Sequence, residues 1–227
     1  MTKHQIIEAD RRPIGARNAR WSQMMVHWLS RAGVTPNSIS GAGMLAGIGA
    51  GALFYLTGSL DYAERAMWLV GAGFILVRLL ANMLDGMVAV ETGVSSAIGE
   101  LYNEIPDRIS DAAILAGAGY AIGGSTHLGY VAVCVALFVA YVRSAVKTAG
   151  APSDFCGPMA KQQRMLVVAG AAVFMGVMPL AWRFQWGPDN EWGTMAAALL
   201  IVIVGGVITA ARRIFHAAKS LNQAAAK

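Results

Sequence analysis

Six apolar stretches of about 20 residues, the length that crosses a bilayer core, follow one another along this chain at 39–57, 66–90, 97–122, 128–148, 165–182 and 194–211. In hydrocarbon every backbone N–H and C=O must find its partner within the structure, so serial stretches of this length read as helices. Hydrophobic residues fill 56% of the 227 positions, charged residues only 14%, and mean hydropathy is +0.51, which argues against an ordinary soluble domain. The expected fold is an all-α polytopic membrane protein. It has six transmembrane helices in one membrane domain over 34–218, a cytoplasmic N-terminal segment over 1–33 and a cytoplasmic tail over 219–227.

Ahead of the first stretch, Trp21, Met24, Met25, Trp28 and Leu29 recur at helical spacing, with Arg20 and His27 off the stripe. This is the pattern of an amphipathic helix lying in the membrane interface. Thr35 and Pro36 then suit the cap and first turn of the first span. The polar, basic N-terminus runs too far before the first long apolar segment for a cleavable signal peptide to be expected. Cys134 falls in an apolar span and Cys156 in a loop, so no disulfide is expected.

Orientation follows from the basic residues. Lys3, Arg11, Arg12, Arg17, Arg20 and Arg31 precede the first span, Lys147, Lys161 and Arg164 flank the fourth connection, and Arg212, Arg213, Lys219 and Lys227 follow the last. With six spans all of these share one side, and only Arg65 and Arg183 lie near connections on the other. The positive-inside rule places both termini in the cytoplasm, as in an inner (cytoplasmic) membrane protein. The net charge of +5 then suits anionic lipid headgroups rather than nucleic acid.

Against this apolar background the second and third stretches carry groups that are costly in hydrocarbon. Asn82 and Asp85 are three apart, and Asn103, Asp107 and Asp111 follow at intervals of four, so each set lies on one helix face. Glu100 falls in the same sector of about 80°, with Glu104 just outside it. Two such faces turned toward each other make an oxygen-rich site for a hard divalent cation such as Mg²⁺ or Mn²⁺. Two other readings stay open: a polar network that only locks helices together, and a cation-coupled transporter. A transporter places its acids near the midplane, whereas these lie mostly in the cytoplasmic halves of their helices. Pro106 interrupts the third stretch and can kink it or free a carbonyl. Lys161 and Arg164, three apart at a helix entrance, can snorkel to lipid phosphate or grip the phosphate of a substrate.

The spacing from Asn82 to Asp107 resembles the signature of the CDP-alcohol phosphotransferases of phospholipid synthesis, D-x2-D-G-x2-A-R-x8-G-x3-D-x3-D. Here Asn82, Asp85, Gly86, Ala89, Val90, Gly99, Asn103 and Asp107 occupy its fixed positions without insertion. Pro36-Asn37 and the segment 157–164 extend the similarity over most of the chain. Three positions depart from the signature: its first and third aspartates are Asn82 and Asn103, and its arginine is Val90.

The resemblance implies transfer of a phosphatidyl or other substituted phosphate group from a CDP-linked lipid donor to the hydroxyl of a polar alcohol, with release of CMP. It implies one or two Mg²⁺ or Mn²⁺ ions held by Asp85 and Asp107, with oxygens of Asn82, Asn103 and Glu104 added. Asp107 stands at the position of the family's proposed base, and Asp111 is the next candidate. Asn37, Gly86, Ala89 and Gly99 would line the nucleotide pocket, and Arg143, Lys161 and Arg164 would bind donor or acceptor phosphate. A homodimer embedded among membrane lipids is implied as well. Replacing two carboxylates by amides removes two negative charges, for which Glu91, Glu100, Glu104 and Asp111 are close enough in sequence to compensate. A member that binds nucleotide or lipid without catalysis is the alternative.

The topology is open to direct measurement. In a background with Cys134→Ser and Cys156→Ser, a cysteine at position 61 is expected to react with an impermeant thiol reagent added outside, and one at position 154 to stay protected. The reverse pattern would invert the orientation and remove the acids from cytosolic nucleotide.

Overall fold

Thr35 caps the first long helix as its sequence suggests, its hydroxyl accepting from the Ser38 N–H at 3.2 Å, with Pro36 at the first helical position. The protein, seen in a computed structural model, is described for residues 17, 19–93, 97–151, 156–188 and 191–225, without the side chains of 61, 97–103, 224 and 225. Among these, seven α-helices follow in order: α1 (Arg20–Arg31), α2 (Pro36–Leu56), α3 (Glu64–Glu91), α4 (Ala97–Tyr120), α5 (Thr126–Thr148), α6 (Lys161–Val177) and α7 (Thr194–Ala225). Most of the N-terminal segment 1–33 that precedes α1 lies outside the described residues.

The long helices close into a ring in which neighbours run α2, α3, α6, α7, α5, α4 and back to α2. Phe54, Trp68, Ile75, Ile114, Leu115, Met165, Val168, Met195 and Leu199 fill its centre. Four helices, α2, α3, α5 and α7, are long and apolar enough to cross a membrane. The protein is an all-helical, polytopic membrane protein. The other two ring members miss that standard for separate reasons: α4 carries the acids, and α6 has only 17 residues.

The expected boundaries shift where local chemistry overrides hydropathy. The fifth stretch, read as 165–182, is a helix over Lys161–Val177, because Met178 turns extended before Pro179. The apolar residues beyond it form a short 3-10 turn at Leu180–Trp182. The last helix continues well past 211, to Ala225. With 28 residues α3 is about 42 Å long, more than the roughly 30 Å of a hydrocarbon core, and Asn82 and Asp85 lie in its C-terminal half.

At that end α1 lies against α3, with Val26 buried and packed into a cluster that includes Ile39, Leu84 and Val88. Its Trp21, Met24 and Trp28 stay exposed, the disposition of an interfacial helix. His27 of α1 contacts Glu91 of α3 at 3.3 Å. At the opposite end Glu64 accepts from the Trp68 indole at 2.9 Å and from Arg183 at 2.6 Å, and Arg183 also donates to the Met175 carbonyl at 2.8 Å.

Glycines set how close α2 comes to the acid-bearing helices. A Cβ on Gly51 would stand 2.2 Å from the Ala113 carbonyl oxygen, and one on Gly117 would stand 2.2 Å from that of Gly51. Gly47 and Gly43 meet Ser110 and Ala81 in the same way one and two turns nearer the acids. The absence of side chains lets backbones touch where lipid offers no hydrophobic drive to pack. Gly51→Ala, measured by thermal or denaturant unfolding in detergent, is expected to destabilise the bundle by roughly 1–3 kcal/mol as an overpacking substitution. A neutral effect would mean that α2 and α4 do not approach this closely.

Candidate active site

Arg78, Asn82 and Asp85 occur at i, i+4 and i+7 of α3, so they share one face. Across from them α4 presents Asp107, Ser110 and Asp111, and α6 presents Lys161 and Arg164. The residues Ser40, Arg78, Asn82, Asp85, Asp107 and Ser110 line a small, open cleft.

Arg78 holds this site together. Its side chain is only 2% exposed, and its guanidinium reaches Asp107 Oδ1 at 2.5 Å, Asp111 Oδ1 at 3.5 Å and the Ser110 hydroxyl at 2.8 Å. Ser110 in turn donates to the Pro106 carbonyl at 2.8 Å, so the turn that contains the proline is tied to the same cluster. Asp111 receives a second cation, Arg164, at 2.9 Å, and both side chains are 1% exposed. Lys161 forms an ion pair with Asp107 Oδ2 and donates to Asn82 Oδ1 at 2.6 Å. Asp85 accepts from the Ser40 hydroxyl at 2.7 Å through one oxygen and from the Gly86 N–H at 2.5 Å through the other.

The loop that delivers Lys161 is itself anchored. Gly157 adopts φ +115°, a conformation that favours glycine, where a side chain would also strike Thr209. Two residues on, the Met159 N–H donates to the Thr209 hydroxyl at 2.9 Å, and Arg213 donates to the carbonyls of Cys156 and Val139, each at 3.3 Å. Helix α7 thus fixes where α6 begins.

Most of the residues singled out in the sequence converge. Asn82, Asp85, Asp107, Asp111, Lys161 and Arg164 fall into one cluster. Glu104 and Arg143 pair with each other at 2.6 Å, and Glu104 also pairs with Arg108 at 3.2 Å, forming a more exposed neighbouring group. Glu91 turns to His27 on α1. Asn37 is exposed at the start of α2, while Gly86, with open space around it, and Ala89 are partly buried on α3. The side chains of Glu100 and Asn103, and the surroundings of Gly99, lie outside the described residues. Arg164 is buried against Asp111 and is not aimed into open space.

Arg78, Arg108, Ser40 and Ser110 escaped the sequence reading. For Arg78 a signal was present: an arginine inside a hydrophobic span, one turn before Asn82 on the same face, is as expensive in hydrocarbon as an acid.

The cleft offers hard oxygen donors, the carboxylates of Asp85 and Asp107 with the neutral oxygens of Asn82 and Ser40, which suit a divalent cation of the Mg²⁺ or Mn²⁺ type. Among the described residues no three His, Cys, Asp or Glu side chains converge as a metal-binding group. Among the described residues, an ion at this cleft would have the carboxylates of Asp85 and Asp107 and neutral oxygens as donors.

Known proteins match this chain. The CDP-alcohol phosphatidyltransferase family matches residues 33–216. A phosphatidylinositol phosphate synthase of Mycobacteroides abscessus is 25% identical over 198 residues, covering 85% of this chain and 80% of its own. An archaetidylinositol phosphate synthase of Pyrococcus horikoshii is 30% identical over 152 residues, covering 66% and 74% respectively. The solved phosphatidylinositol phosphate synthase of Mycobacterium tuberculosis with CDP-DAG bound superimposes with a TM-score of 0.69 at 22% identity, over 88% of this chain and 94% of that one. The same enzyme in complex with manganese and citrate gives the same score and identity, over 88% and 90% of the two chains. The family match spans the whole acid-bearing bundle, and this chain belongs to the CDP-alcohol phosphatidyltransferases, membrane transferases of phospholipid synthesis that use a CDP-linked donor.

Proposed function

We propose that this protein moves a phosphatidyl group from CDP-diacylglycerol to a hydroxyl of a phosphorylated polyol of the inositol phosphate kind, at the cytoplasmic face, releasing CMP. The observation that carries this reading is the cleft itself, where Asp85 and Asp107 meet Arg78 and Lys161 at one end of the bundle. Support for a phosphorylated acceptor comes from the basic groups at that end and from the two relatives, each named as an inositol phosphate lipid synthase. Six spans, an inner-membrane location and a homodimer belong to the same proposal. The first two rest on hydropathy and the lysine and arginine bias, the last on family resemblance.

In the proposed reaction the acceptor hydroxyl oxygen bonds to the lipid-bearing phosphorus as the bond from that phosphorus to the CMP oxygen breaks. The bonding pair leaves with CMP, and Asp107 takes the acceptor proton. A divalent ion at Asp85 and Asp107 would neutralise diphosphate charge and stabilise the leaving phosphate. Arg78 holds Asp107 in place, and Lys161 is near enough to turn from Asp107 to a phosphate oxygen. Arg143 and Arg108, beside Glu104, are the more exposed cations available to an acceptor phosphate. Asp111, enclosed by Arg78 and Arg164, is assigned the support of those two cations and not proton transfer.

Purified protein with CDP-diacylglycerol and Mg²⁺ or Mn²⁺ is expected to release CMP with inositol phosphate and far less with unphosphorylated inositol or serine. Asp107→Asn is expected to lower the rate by about 10²–10⁴-fold, the usual worth of a positioned base, and Asp85→Asn to remove metal-dependent turnover, each with its thermal unfolding followed in parallel. Absence of CMP release with every acceptor, from folded protein, would establish the non-catalytic alternative.

A further inference from the structure

Lys161 occupies an unusual place for a lysine beside a metal-type donor set. Its ammonium group bonds the side-chain oxygen of Asn82 at 2.6 Å and pairs with Asp107 Oδ2, while Arg78 takes Asp107 Oδ1. Both oxygens of Asp107 and the amide oxygen of Asn82 are thus already engaged by cationic side chains. These oxygens stand at two positions of the family signature, one of which has an amide in place of a carboxylate.

Among the described residues the charges of the inner cluster balance, with Arg108 and Arg143 turned to Glu104 beside it. Asp85, Asp107 and Asp111 face Arg78, Lys161 and Arg164, three carboxylates against three cations, and the arginines and Asp111 are almost wholly buried. Adding a divalent ion alone would leave two positive charges uncompensated in a poorly solvated site, where unpaired charge is most costly. A nucleoside diphosphate diester brings two negative charges of its own. Ion and diphosphate together restore the balance that the ion alone would upset.

We propose that Lys161 is a tethered cation that occupies Asn82 and Asp107, two oxygen donors a divalent ion in this cleft would need, so that the protein takes up its divalent ion together with the diphosphate of the nucleotide. The anchored loop before α6 delivers the lysine to this position, through the Met159 contact with Thr209. On uptake the ammonium leaves Asn82 and Asp107 for a phosphate oxygen, an exchange of one anionic partner for another that a flexible four-carbon stem permits. The inference rests on the reading of this cleft as the nucleotide and metal site.

The test is Mn²⁺ binding to the purified full chain, with free Mn²⁺ read by electron paramagnetic resonance in the absence and presence of saturating CDP against protein-free solutions of the same Mn²⁺ and CDP content, and CDP binding measured separately with labelled nucleotide. Wild-type protein is expected to bind Mn²⁺ weakly alone and at least about tenfold more tightly with CDP, a coupling of ordinary size. Lys161→Met is expected to bind Mn²⁺ without CDP about tenfold more tightly than wild type and to lose most of the CDP effect. Lys161→Gln, which keeps a hydrogen-bonding partner for Asn82, is expected to do the same and serves if the methionine variant does not fold. Lys161→Arg is expected to keep the wild-type pattern. Tight Mn²⁺ binding by wild type that is indifferent to CDP, or variants without effect on it, would overturn the proposal while leaving the enzyme reading intact. Failure of CDP to bind at any Mn²⁺ concentration would overturn both.

Discussion

An arginine buried between two aspartates governs this structure. Arg78 on α3 carries a full positive charge at 2% exposure, and only the carboxylates of Asp107 and Asp111 on α4 make that tolerable. The dependence is mutual, because Asp111 is equally buried and would be stranded without Arg78 and Arg164. Removing one partner of such a pair typically costs about 3–5 kcal/mol, since it leaves the other charge uncompensated. The cluster therefore ties α3, α4 and α6 to one another, and it orients Asp107 toward the cleft.

The rest of the fold supplies what this cluster requires. Glycines at 43, 47 and 51 let α2 lie close enough for Ser40 to reach Asp85 across the cleft. Helix α7, through Thr209 and Arg213, sets the loop from which α6 starts and so the height of Lys161. Helix α3 is longer than a hydrocarbon core is thick, and Asn82 and Asp85 lie in its C-terminal half.

Much of this was legible in the chain because polar groups in apolar helices are few and their spacing survives folding. Asn82, Asp85, Asp107 and Asp111 stand where their helical periods put them, and Lys161 and Arg164 meet them across the bundle. What was not legible depends on partners that periodicity does not name. Glu104 was read as a metal ligand, yet Arg143 and Arg108 claim its carboxylate. Glu91 was read as compensating charge and instead contacts His27 of the interfacial helix. A pattern of acids does not single out Arg78, although a balance of buried charge calls for such a counter-ion. The end of α6 was misjudged because hydropathy continues through Leu180 and Trp182 while the backbone has already turned at Met178-Pro179.

On the proposed function, the donor diphosphate and its metal come together in the cleft between Asp85 and Asp107. Anomalous diffraction at the manganese edge, from crystals of the full chain grown with Mn²⁺ and CDP, addresses it most directly. The account predicts an anomalous peak between the side chains of Asp85 and Asp107, with the nucleotide phosphates beside it and the Lys161 ammonium withdrawn from Asn82. A peak elsewhere in the bundle, or nucleotide bound away from this cleft with the Lys161 contacts unchanged, would contradict it.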